Sequence, residues 1–373
     1  MTLVVCAAIL RHGTLLAARR TTPAAAAGGW ELPGGKVGPD EPADVAVVRE
    51  IGEELGCRVR VEGWLDGEQT IDATHVLRVA QCTLVDGEPR ADTDHDELRW
   101  LTPEQLGEVA WLEADRAFLD ELRELLLDGE ELPGGNVGGA VRIGITVRRP
   151  TGPWTPAVHA LLDHLAAAGL RAVPRVHGID DRGREVLDYL SGEVVDVDTE
   201  LVSDPRLADL GRWARELHEA QRGFAHPGPW RFESTRPHAL VMHNDLAPYN
   251  VAFEGDRVSG VFDWDVAAPG PVLFELAQIA WTCVPLFRPV PDEVAARRLR
   301  VLATAYDGPT AAEILTGVPA RVQSVIDGLR AAMESGDRTL DRLAAEGEPD
   351  RTAGHLRDFL TRRPALAAAL ARS

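Results

Sequence analysis

One stretch, GGKVGPDEPADVAVVREIGEELGC at residues 34–57, constrains the fold of this chain more than any other feature of its sequence. Apolar residues recur there at intervals of four, which predicts an amphipathic helix over 42–55 with one face packed on a core. The apolar stripe consists of Val47, Ile51 and Leu55. Pro42 suits the first helical position and Gly56 suits the residue just past the helix end, so both ends of the helix are predicted as well.

Three carboxylates lie opposite this stripe, on Glu50, Glu53 and Glu54. Residues three and four apart are neighbours on a helix, so these like charges repel one another unless something positive lies between them. Hard divalent cations such as Mg²⁺ prefer oxygen ligands and keep substrate phosphates in their shell. The cluster therefore has two explanations, a solvated acidic helix face or a metal site for a phosphorylated substrate.

The spacing of the surrounding residues follows G-x5-E-x7-R-E-U-x-E-E-x-G-U, where U is a bulky apolar residue. The nine specified positions are Gly35, Glu41, Arg49, Glu50, Ile51, Glu53, Glu54, Gly56 and Cys57. This pattern resembles the signature of the Nudix hydrolases, with Cys57 as a mild departure at its last place. The segments LLAARR, GGWELPGGKV and DHDELRWLTPEQL extend the resemblance over nearly all of 1–127, towards the MutT branch and its pyrophosphohydrolases of CTP and oxidised nucleotides.

This resemblance implies an α+β chain whose residues 1–130 form a Nudix α/β/α sandwich with a mixed sheet. It also implies that Mg²⁺ (or Mn²⁺) is held by Glu50, Glu53, Glu54 and the carbonyl of Gly34, with Arg49 orienting the carboxylates. Water would attack a nucleoside triphosphate and give a nucleoside monophosphate and diphosphate. Clustered metal ions suit this reaction because they lower the pKa of a bound water and offset the charge that develops on phosphoryl oxygens.

Three basic residues are candidates for contacting the substrate phosphates. Lys36 is the only lysine of the chain and follows the glycine pair, where the family places a phosphate-contacting cation; the alternative is a plain surface charge. Arg19 or Arg20 would add a second phosphate contact, or would be solvated loop arginines.

Two acidic residues are further candidates in the same domain. Asp94 occupies the place where some relatives carry a glutamate that acts as base or metal ligand, with Glu97 close by, although its side chain is shorter. Asp115 lies where related enzymes place a residue that reads the nucleobase edge; the alternative is an N-cap preceding Arg116. Trp30 would stack on the base or belong to the core.

Composition restricts the partners and the compartment of the chain. A net charge of −20 and a pI near 5.0 argue against nucleic acid, which needs a basic footprint. Four scattered cysteines suggest neither disulfides nor a zinc site, so a reducing cytoplasm is expected. The apolar opening MTLVVCAAIL reads as a buried strand and not as a membrane segment, and with TLLAA beyond RHG it predicts a β-hairpin over 3–18.

A second domain is expected over 133–373, after the Gly-rich and acidic stretch LDGEELPGGNVGG. Its segment 241–265, VMHNDLAPYNVAFEGDRVSGVFDWD, combines H-x-D-x4-N with a later D-W-D. These residues resemble the loops of the aminoglycoside phosphotransferase family and its choline-kinase relatives. The resemblance implies a protein-kinase-like fold with a small β lobe, shortened here, and a large helical lobe. The site residues it implies are the base Asp245, the Mg²⁺ ligands Asn250 and Asp263, and His243 as a brace of the loop.

This domain departs from the family pattern in several places. It contains no lysine to anchor ATP phosphates, and the nearest candidates, Arg148 and Arg149, carry a guanidinium that does not reproduce a compact ammonium. Glu275 stands in a segment where the family has an aspartate, and GGNVGG would either cover phosphates or serve as a linker. Two alternatives follow. The domain uses ATP to phosphorylate a small hydroxylated acceptor, or it is a degenerate, ligand-binding kinase fold in a regulatory protein with the Nudix domain as scaffold.

Overall fold

The computed structural model describes residues 1–132, 139–197, 199–231, 240–336 and 340–372. The chain divides into two compact units, the first made of Met1–Pro133 with Ala140–Arg148 and the second of the remaining residues. The domain boundaries expected from the sequence, 1–130 and 133–373, stay a proposal. Among the described residues, none of the helices combines the length and apolarity needed to cross a membrane.

The first unit is built on a mixed sheet. Its strands are β1 (Thr2–Arg11), β2 (Thr14–Arg20), β3 (Trp30–Glu31), β4 (Gly34–Lys36), β5 (Arg58–Trp64), β6 (Gln69–Thr70), β7 (His75–Asp86) and β8 (His95–Leu101). Shorter strands follow at β9 (Glu130–Glu131), β10 (Val141–Ile143) and β11 (Thr146–Pro150), and the helices are α1 (Ala43–Leu55), α2 (Glu113–Arg116) and α3 (Leu119–Asp128). The main order is β3-β2-β1-β7-β5, with β1 parallel to β7 and antiparallel to β2.

Strand β1 lies between two cores because its side chains alternate between the faces of the sheet. Val5, Ala7 and Ile9 share one core with the apolar stripe of α1. Cys6 and Ala8 belong to the other core, which includes buried residues of α3. The sheet therefore lies between helices, and the predicted α/β/α sandwich with a mixed sheet is confirmed.

The local predictions for this unit are confirmed with one correction. The hairpin forms, with Leu10 opposite Leu15, and α1 ends at Gly56, whose φ of 64° suits a residue without a side chain. Pro42 is the N-cap of α1 and not its first helical residue. The physical reason is that the backbone of Pro42 is extended, with ψ at 142°, so helical geometry begins only at Ala43.

The second unit is mainly helical. Its strands are β12 (Val176–Ile179), β13 (Arg184–Asp188), β14 (Glu193–Val194), β15 (Val241–Met242), β16 (Val251–Glu254), β17 (Arg257–Val261) and β18 (Ala268–Pro269). Its helices are α4 (Thr155–Ala167), α5 (Asp204–Ala220), α6 (Val272–Cys283), α7 (Asp292–Tyr306), α8 (Ala311–Glu334), α9 (Asp341–Ala345) and α10 (Asp350–Ala371). One core joins helices α4 to α8 and α10 to the strands β16 and β17, as expected for a kinase-like fold with a large helical lobe.

Candidate functional site

The acidic face of α1 lies against the strand β4, and this approach requires glycine. A Cβ on Gly35 would lie 2.3 Å from a carboxylate oxygen of Glu50, and a Cβ on Gly34 would lie 2.1 Å from the carbonyl oxygen of Val5. Both distances are far below any real carbon contact. Gly35 therefore brings the backbone of β4 directly against the carboxylate of Glu50 on the helix, and Gly34 brings it against the backbone of β1.

Arg49 is the centre of a charge network on this face. Its guanidinium donates to both carboxylate oxygens of Glu41, each at 2.8 Å, in the bidentate geometry that arginine favours. The Nη1 atom donates to Glu50 at 2.8 Å and to Glu53 at 3.3 Å, and Nη2 donates to the carbonyl oxygen of Lys36 at 3.1 Å. Hydrogen bonds from Arg49 and from the backbone N–H of Gly38 lower the pKa of Glu41 to about 2. One arginine thus orients three of the signature carboxylates.

Glu54 lies deeper than its neighbours. Its Oε2 atom accepts a hydrogen bond from the N–H of Gly34 at 3.0 Å. Burial raises the pKa of Glu54 to about 7; His95 nearby opposes this rise, and the carboxylates of Glu31 and Glu50 add to it. An ionised Glu54 is therefore costly unless a cation lies close to it.

The three glutamates fit a divalent cation by their chemistry. They offer oxygen ligands, and a cation would stabilise the ionised form of Glu54, which burial above all disfavours. Glu53 is 63% exposed, and among the described residues its carboxylate contacts only Arg49, at 3.3 Å, so it can reorient. As the side chains stand, however, no three His, Cys, Asp or Glu residues of the described ranges are placed to hold a metal together. The ligand set, including the carbonyl of Gly34, stays a prediction.

Lys36 is exposed on β4, and its carbonyl oxygen is bound to Arg49. Within the described part of the chain, its ammonium group makes no hydrogen bond or ion pair. An unpaired cation beside a carboxylate cluster can bind an anionic ligand. The predicted contact of Lys36 with a phosphate is therefore compatible with its position, and it stays a prediction.

The two predicted arginines are already paired with carboxylates. Arg19 lies 2.7 Å from Asp96 and 2.7 Å from Glu97, and Arg20 donates to Glu31 at 2.9 Å. A phosphate would have to compete with these partners for either guanidinium. Neither arginine is a solvated loop residue, since both lie on β2 and each side chain is at most 35% exposed.

Asp94 lies just before β8 and is exposed, and its carboxylate accepts a hydrogen bond from Thr22 at 3.3 Å. Its neighbour His95 is only 1% exposed and lies 3.0 Å from Glu31. No sequence motif points to Glu31 or His95. Both residues are polar, and polar residues are not expected to be buried. The one signal in the sequence is that Glu31 stands between two apolar residues in WELPGG. They link the strand before the glycine pair to the strand after Asp94.

Asp115 is buried and fixed by the backbone. It is 4% exposed, and its carboxylate accepts a hydrogen bond from the N–H of Leu32 at 3.0 Å. The N-cap alternative is wrong, because Leu112 caps α2 and Asp115 is the third residue of that helix. Burial raises the pKa of Asp115 to about 7, and the nearby Glu31 adds to the rise. Trp30 is a core residue, at 7% exposure.

The raised pKa of Asp115 predicts a pH-dependent stability. A carboxyl that is easier to protonate in the folded state stabilises the fold fully below its unfolded pKa of about 4. This contribution is lost as the pH rises through about 7, the folded value. We expect Asp115→Asn to flatten the dependence of the free energy of unfolding on pH between 4.5 and 7.5, as measured by urea denaturation. The exposed Asp120→Asn is the control, and a curve for Asp115→Asn parallel to the wild type would contradict the assignment.

In the second unit, Asp245 is surrounded by donors. Its carboxylate accepts hydrogen bonds from Tyr249 at 2.9 Å, Asn250 at 2.9 Å and Gln278 at 3.1 Å. Burial and the charge of Asp263 raise the pKa of Asp245 to about 6. The residues predicted as base and metal ligand thus lie together, and Tyr249 and Gln278 are partners that the motif did not reveal.

His243 lies behind this loop. Its Nε2 atom donates to the carbonyl oxygen of Phe262 at 3.1 Å, and its Nδ1 atom accepts from the N–H of Asp245 at 3.3 Å. Burial lowers the pKa of His243 to about 4, so the ring is neutral at pH 7. Glu275, at 0% exposure, accepts from the N–H groups of His243 and Asn244, at 2.5 Å and 3.2 Å. These bonds connect the loop to helix α6 and to the segment before Asp263.

Arg149, and not Arg148, is the arginine of this site. It lies 2.8 Å from Asp263 and 3.0 Å from Asp265. Arg148 turns to Thr146 and Glu104. The GGNVGG segment, whose role was left open, lies outside the described residues up to position 138.

Of the two predicted Mg²⁺ ligands of the second unit, Asp263 does not fit a metal ion as its side chain stands, because it is bonded to the guanidinium of Arg149. The amide nitrogen of Asn250 donates to Asp245, and this bond does not involve the oxygen through which Asn250 would bind a metal. A divalent cation would have to displace an arginine that is only 15% exposed.

Comparison with known proteins agrees with this division of the chain. The model of the NUDIX domain matches residues 1–122, and that of the phosphotransferase enzyme family matches 147–240 and 232–315. A Mycobacterium tuberculosis protein provisionally named 8-oxo-dGTP diphosphatase 2 is 41% identical over 127 residues, which are 33% of this chain and 89% of that protein. The CTP pyrophosphohydrolase of Escherichia coli is 34% identical over 124 residues, 33% of this chain and 91% of that protein.

Another relative matches a larger part of the chain than the two nucleotide hydrolases do. The trifolitoxin immunity protein of Rhizobium leguminosarum bv. trifolii is 34% identical over 174 residues, 44% of this chain and 65% of that protein. Among solved structures, the MutT NUDIX hydrolase from Burkholderia pseudomallei is 35% identical, covers 32% of this chain and 95% of its own, and has a TM-score of 0.29. The chain belongs to the Nudix hydrolase family through its N-terminal region, and its C-terminal region belongs to the phosphotransferase enzyme family.

Proposed function

We propose that the first unit hydrolyses nucleoside triphosphates, with water, to a nucleoside monophosphate and diphosphate in the presence of Mg²⁺ or Mn²⁺. The observation that carries this proposal is the acidic face of α1, where Arg49 gathers Glu41, Glu50 and Glu53, and Glu50 lies directly against Gly35 of β4. The relatives named for 8-oxo-dGTP and CTP support a nucleotide substrate.

Bound divalent cations would supply a water of lowered pKa and offset charge on the phosphoryl oxygens. Glu50, Glu53 and Glu54 are the residues that would hold them. Glu53 is the most exposed of the charged residues in the Arg49 network, so its carboxylate is the best placed to meet a solvent molecule and accept its proton. Lys36 would contact the phosphates.

Asp115 is the proposed reader of the nucleobase. An ionised Asp115 accepts a hydrogen bond from an exocyclic amine, as on cytosine or adenine, and a neutral Asp115 can also donate one. A pKa of about 7 makes both forms accessible near neutral pH. Base preference is therefore expected to depend on pH.

Product analysis tests this proposal. The full chain is incubated with Mg²⁺ and a panel of ribo- and deoxyribonucleoside triphosphates that includes oxidised bases, and products are separated by anion-exchange chromatography. Monophosphate and diphosphate in equal amounts are expected. Release of nucleoside diphosphate and orthophosphate would place the cleavage at the wrong phosphorus, and no turnover across the panel would favour a scaffold role for the unit.

For the second unit, a ligand-binding role is favoured over phosphorylation of a small hydroxylated acceptor with ATP. The observation that favours it is the ion pair of Arg149 with Asp263, the residue expected to hold Mg²⁺. The similarity to an immunity protein extends over more residues than the first unit contains, so it includes part of the second unit.

Phosphate transfer from labelled ATP distinguishes the two roles. With Mg²⁺ and a panel of aminoglycosides and choline-like alcohols, we expect the full chain to label no acceptor above the level of its Asp245→Ala variant. The reason is that Arg149 occupies the carboxylate that a metal–nucleotide complex needs. Labelling that disappears in Asp245→Ala would instead establish a phosphotransferase and identify Asp245 as its base.

A further inference from the structure

Two carboxylates of the D-W-D segment share one arginine. The Nη2 atom of Arg149 donates to Asp263 at 2.8 Å and lies 3.0 Å from Asp265. Asp265 is only 9% exposed, and Asp263 is 31% exposed. The positive charge therefore lies at the edge of the site, between the residue expected to bind metal and a buried acid.

The guanidinium is also held from its other side. Its Nη1 atom lies 3.8 Å from Glu185, which is 3% exposed and lies 2.9 Å from His159 on helix α4. Burial lowers the pKa of Arg149, but the charges of Asp263, Asp265 and Glu185 outweigh this effect. The pKa of Arg149 is therefore raised above its usual value, and the group stays charged. Three carboxylates thus fix one permanent cation in place.

A fixed cation and a divalent ion compete for the same oxygen atoms. Mg²⁺ binds carboxylate oxygens at about 2.1 Å, and an arginine bonded to the same carboxylate repels it at close range. The other predicted ligand, Asn250, donates its amide to both the carbonyl oxygen and the carboxylate of Asp245, at 3.0 Å and 2.9 Å. These bonds use only the amide nitrogen of Asn250 and do not involve its Oδ1 atom, which is the one that a metal would bind, so the competition with Mg²⁺ concerns the carboxylate of Asp263.

We propose that Arg149 takes the place of a divalent cation in the second unit, which therefore assembles no metal–nucleotide complex. This inference deepens the ligand-binding role proposed above, and its biological meaning rests on that role. The test of the inference does not need the unidentified ligand. The arginine supplies the positive charge that the acidic segment needs for folding and leaves the unit free to bind a molecule without metal.

The test measures Mn²⁺ binding by electron paramagnetic resonance in the full chain. The first unit is silenced by Glu53→Gln and Glu54→Gln, and this double variant is the reference. We expect the reference chain to bind no Mn²⁺ below millimolar concentration. Adding Arg149→Ala frees the carboxylate of Asp263 and is expected to create a site at least about 10-fold tighter, although Asp265 keeps Arg231 at 3.6 Å. Arg148→Ala, one residue away, is the matched control and should create none.

A second measurement covers the case in which Arg149→Ala does not fold. Equilibrium dialysis of a labelled, non-hydrolysable ATP analogue against the reference chain is expected to give the same binding in Mg²⁺ and in EDTA. Tight Mn²⁺ binding by the reference chain that Asp263→Asn removes, or analogue binding at least about 10-fold stronger with Mg²⁺, would overturn the proposal. Failure of the ligand-binding role, for example by phosphate transfer, would be seen separately in the labelling experiment.

Discussion

Replacing Glu53 with Gln is expected to lower the turnover of nucleoside triphosphate by the first unit about 10³-fold. A metal site supplies several kcal/mol of charge stabilisation to the transition state, and each 1.4 kcal/mol is a factor of ten in rate. Glu53 is 63% exposed and makes one 3.3 Å contact with Arg49, so the amide should leave the fold unchanged. The measurement is kcat from diphosphate release at saturating Mg²⁺.

The matched control for this variant is Asp44→Asn. Asp44 is an exposed carboxylate on the same helix, outside the Arg49 network, and its removal changes the net charge by the same amount. Its turnover should stay within about twofold of the wild type, because surface substitutions away from a site have small effects. Equal losses in the two variants would mean that helix charge, and not a metal ligand, explains the effect.

Arg49→Ala is expected to lower the turnover of nucleoside triphosphate about 10²-fold, although Arg49 is not proposed to contact the substrate. Residues that orient metal ligands typically contribute factors of 10–100 to affinity or activity. Without Arg49, Glu41, Glu50 and Glu53 lose their shared donor and repel one another. Arg49→Lys keeps the charge but cannot bind both oxygens of Glu41 while reaching Glu50, so it should recover only part of the loss.

The pattern of effects tests the positioning role of Arg49. Its removal should raise the Mg²⁺ concentration needed for half-maximal rate, whereas a structural role alone would lower the melting temperature and leave the metal dependence unchanged. Arg60→Ala, which removes an exposed arginine paired with Glu62, is the control and should alter neither. An unchanged metal requirement in Arg49→Ala would contradict the assignment.

The helix α1 and its site could be predicted from the sequence because periodicity and spacing determine them together. An amphipathic stripe fixes which face of α1 is buried, and Glu50 and Glu53 then lie away from it whatever the rest of the fold does. The placement of Glu54 opposite the stripe is wrong, because it follows Val47 by seven residues, about two turns, and therefore lies beside the stripe and is half-buried. The close approaches that exclude a side chain at Gly34 and Gly35 were not predicted, because they depend on β1 and on Glu50, which only the folded chain brings to them. The predicted start of the helix is wrong by one residue, because Pro42 is the N-cap and α1 begins at Ala43.

Buried polar residues were not predictable in the same way. His95 and Glu31 are buried because two strands bring them together, and nothing in their own segments shows that pairing. Asp115 looked like a helix cap because its partner, the N–H of Leu32, is 83 residues away in the chain. Polar burial depends on tertiary partners, which a single sequence does not display.

The choice between Arg148 and Arg149 shows a further limit. Adjacent residues of a strand point to opposite faces, so a shift of one position decides which arginine reaches Asp263. The sequence TVRRP offers both, and only the register of β11 resolves them. The resemblance located the acidic residues of the loop, but not the arginine that neutralises them.

The central claim is that the carboxylates of α1 hold a divalent cation. It is tested most directly by Mn²⁺ binding to the full chain, compared with the variant that carries both Glu53→Gln and Glu54→Gln. We expect at least one Mn²⁺ bound per wild-type chain and the loss of that binding in the double variant. Equal binding by the two chains, or none by the wild type, would contradict it.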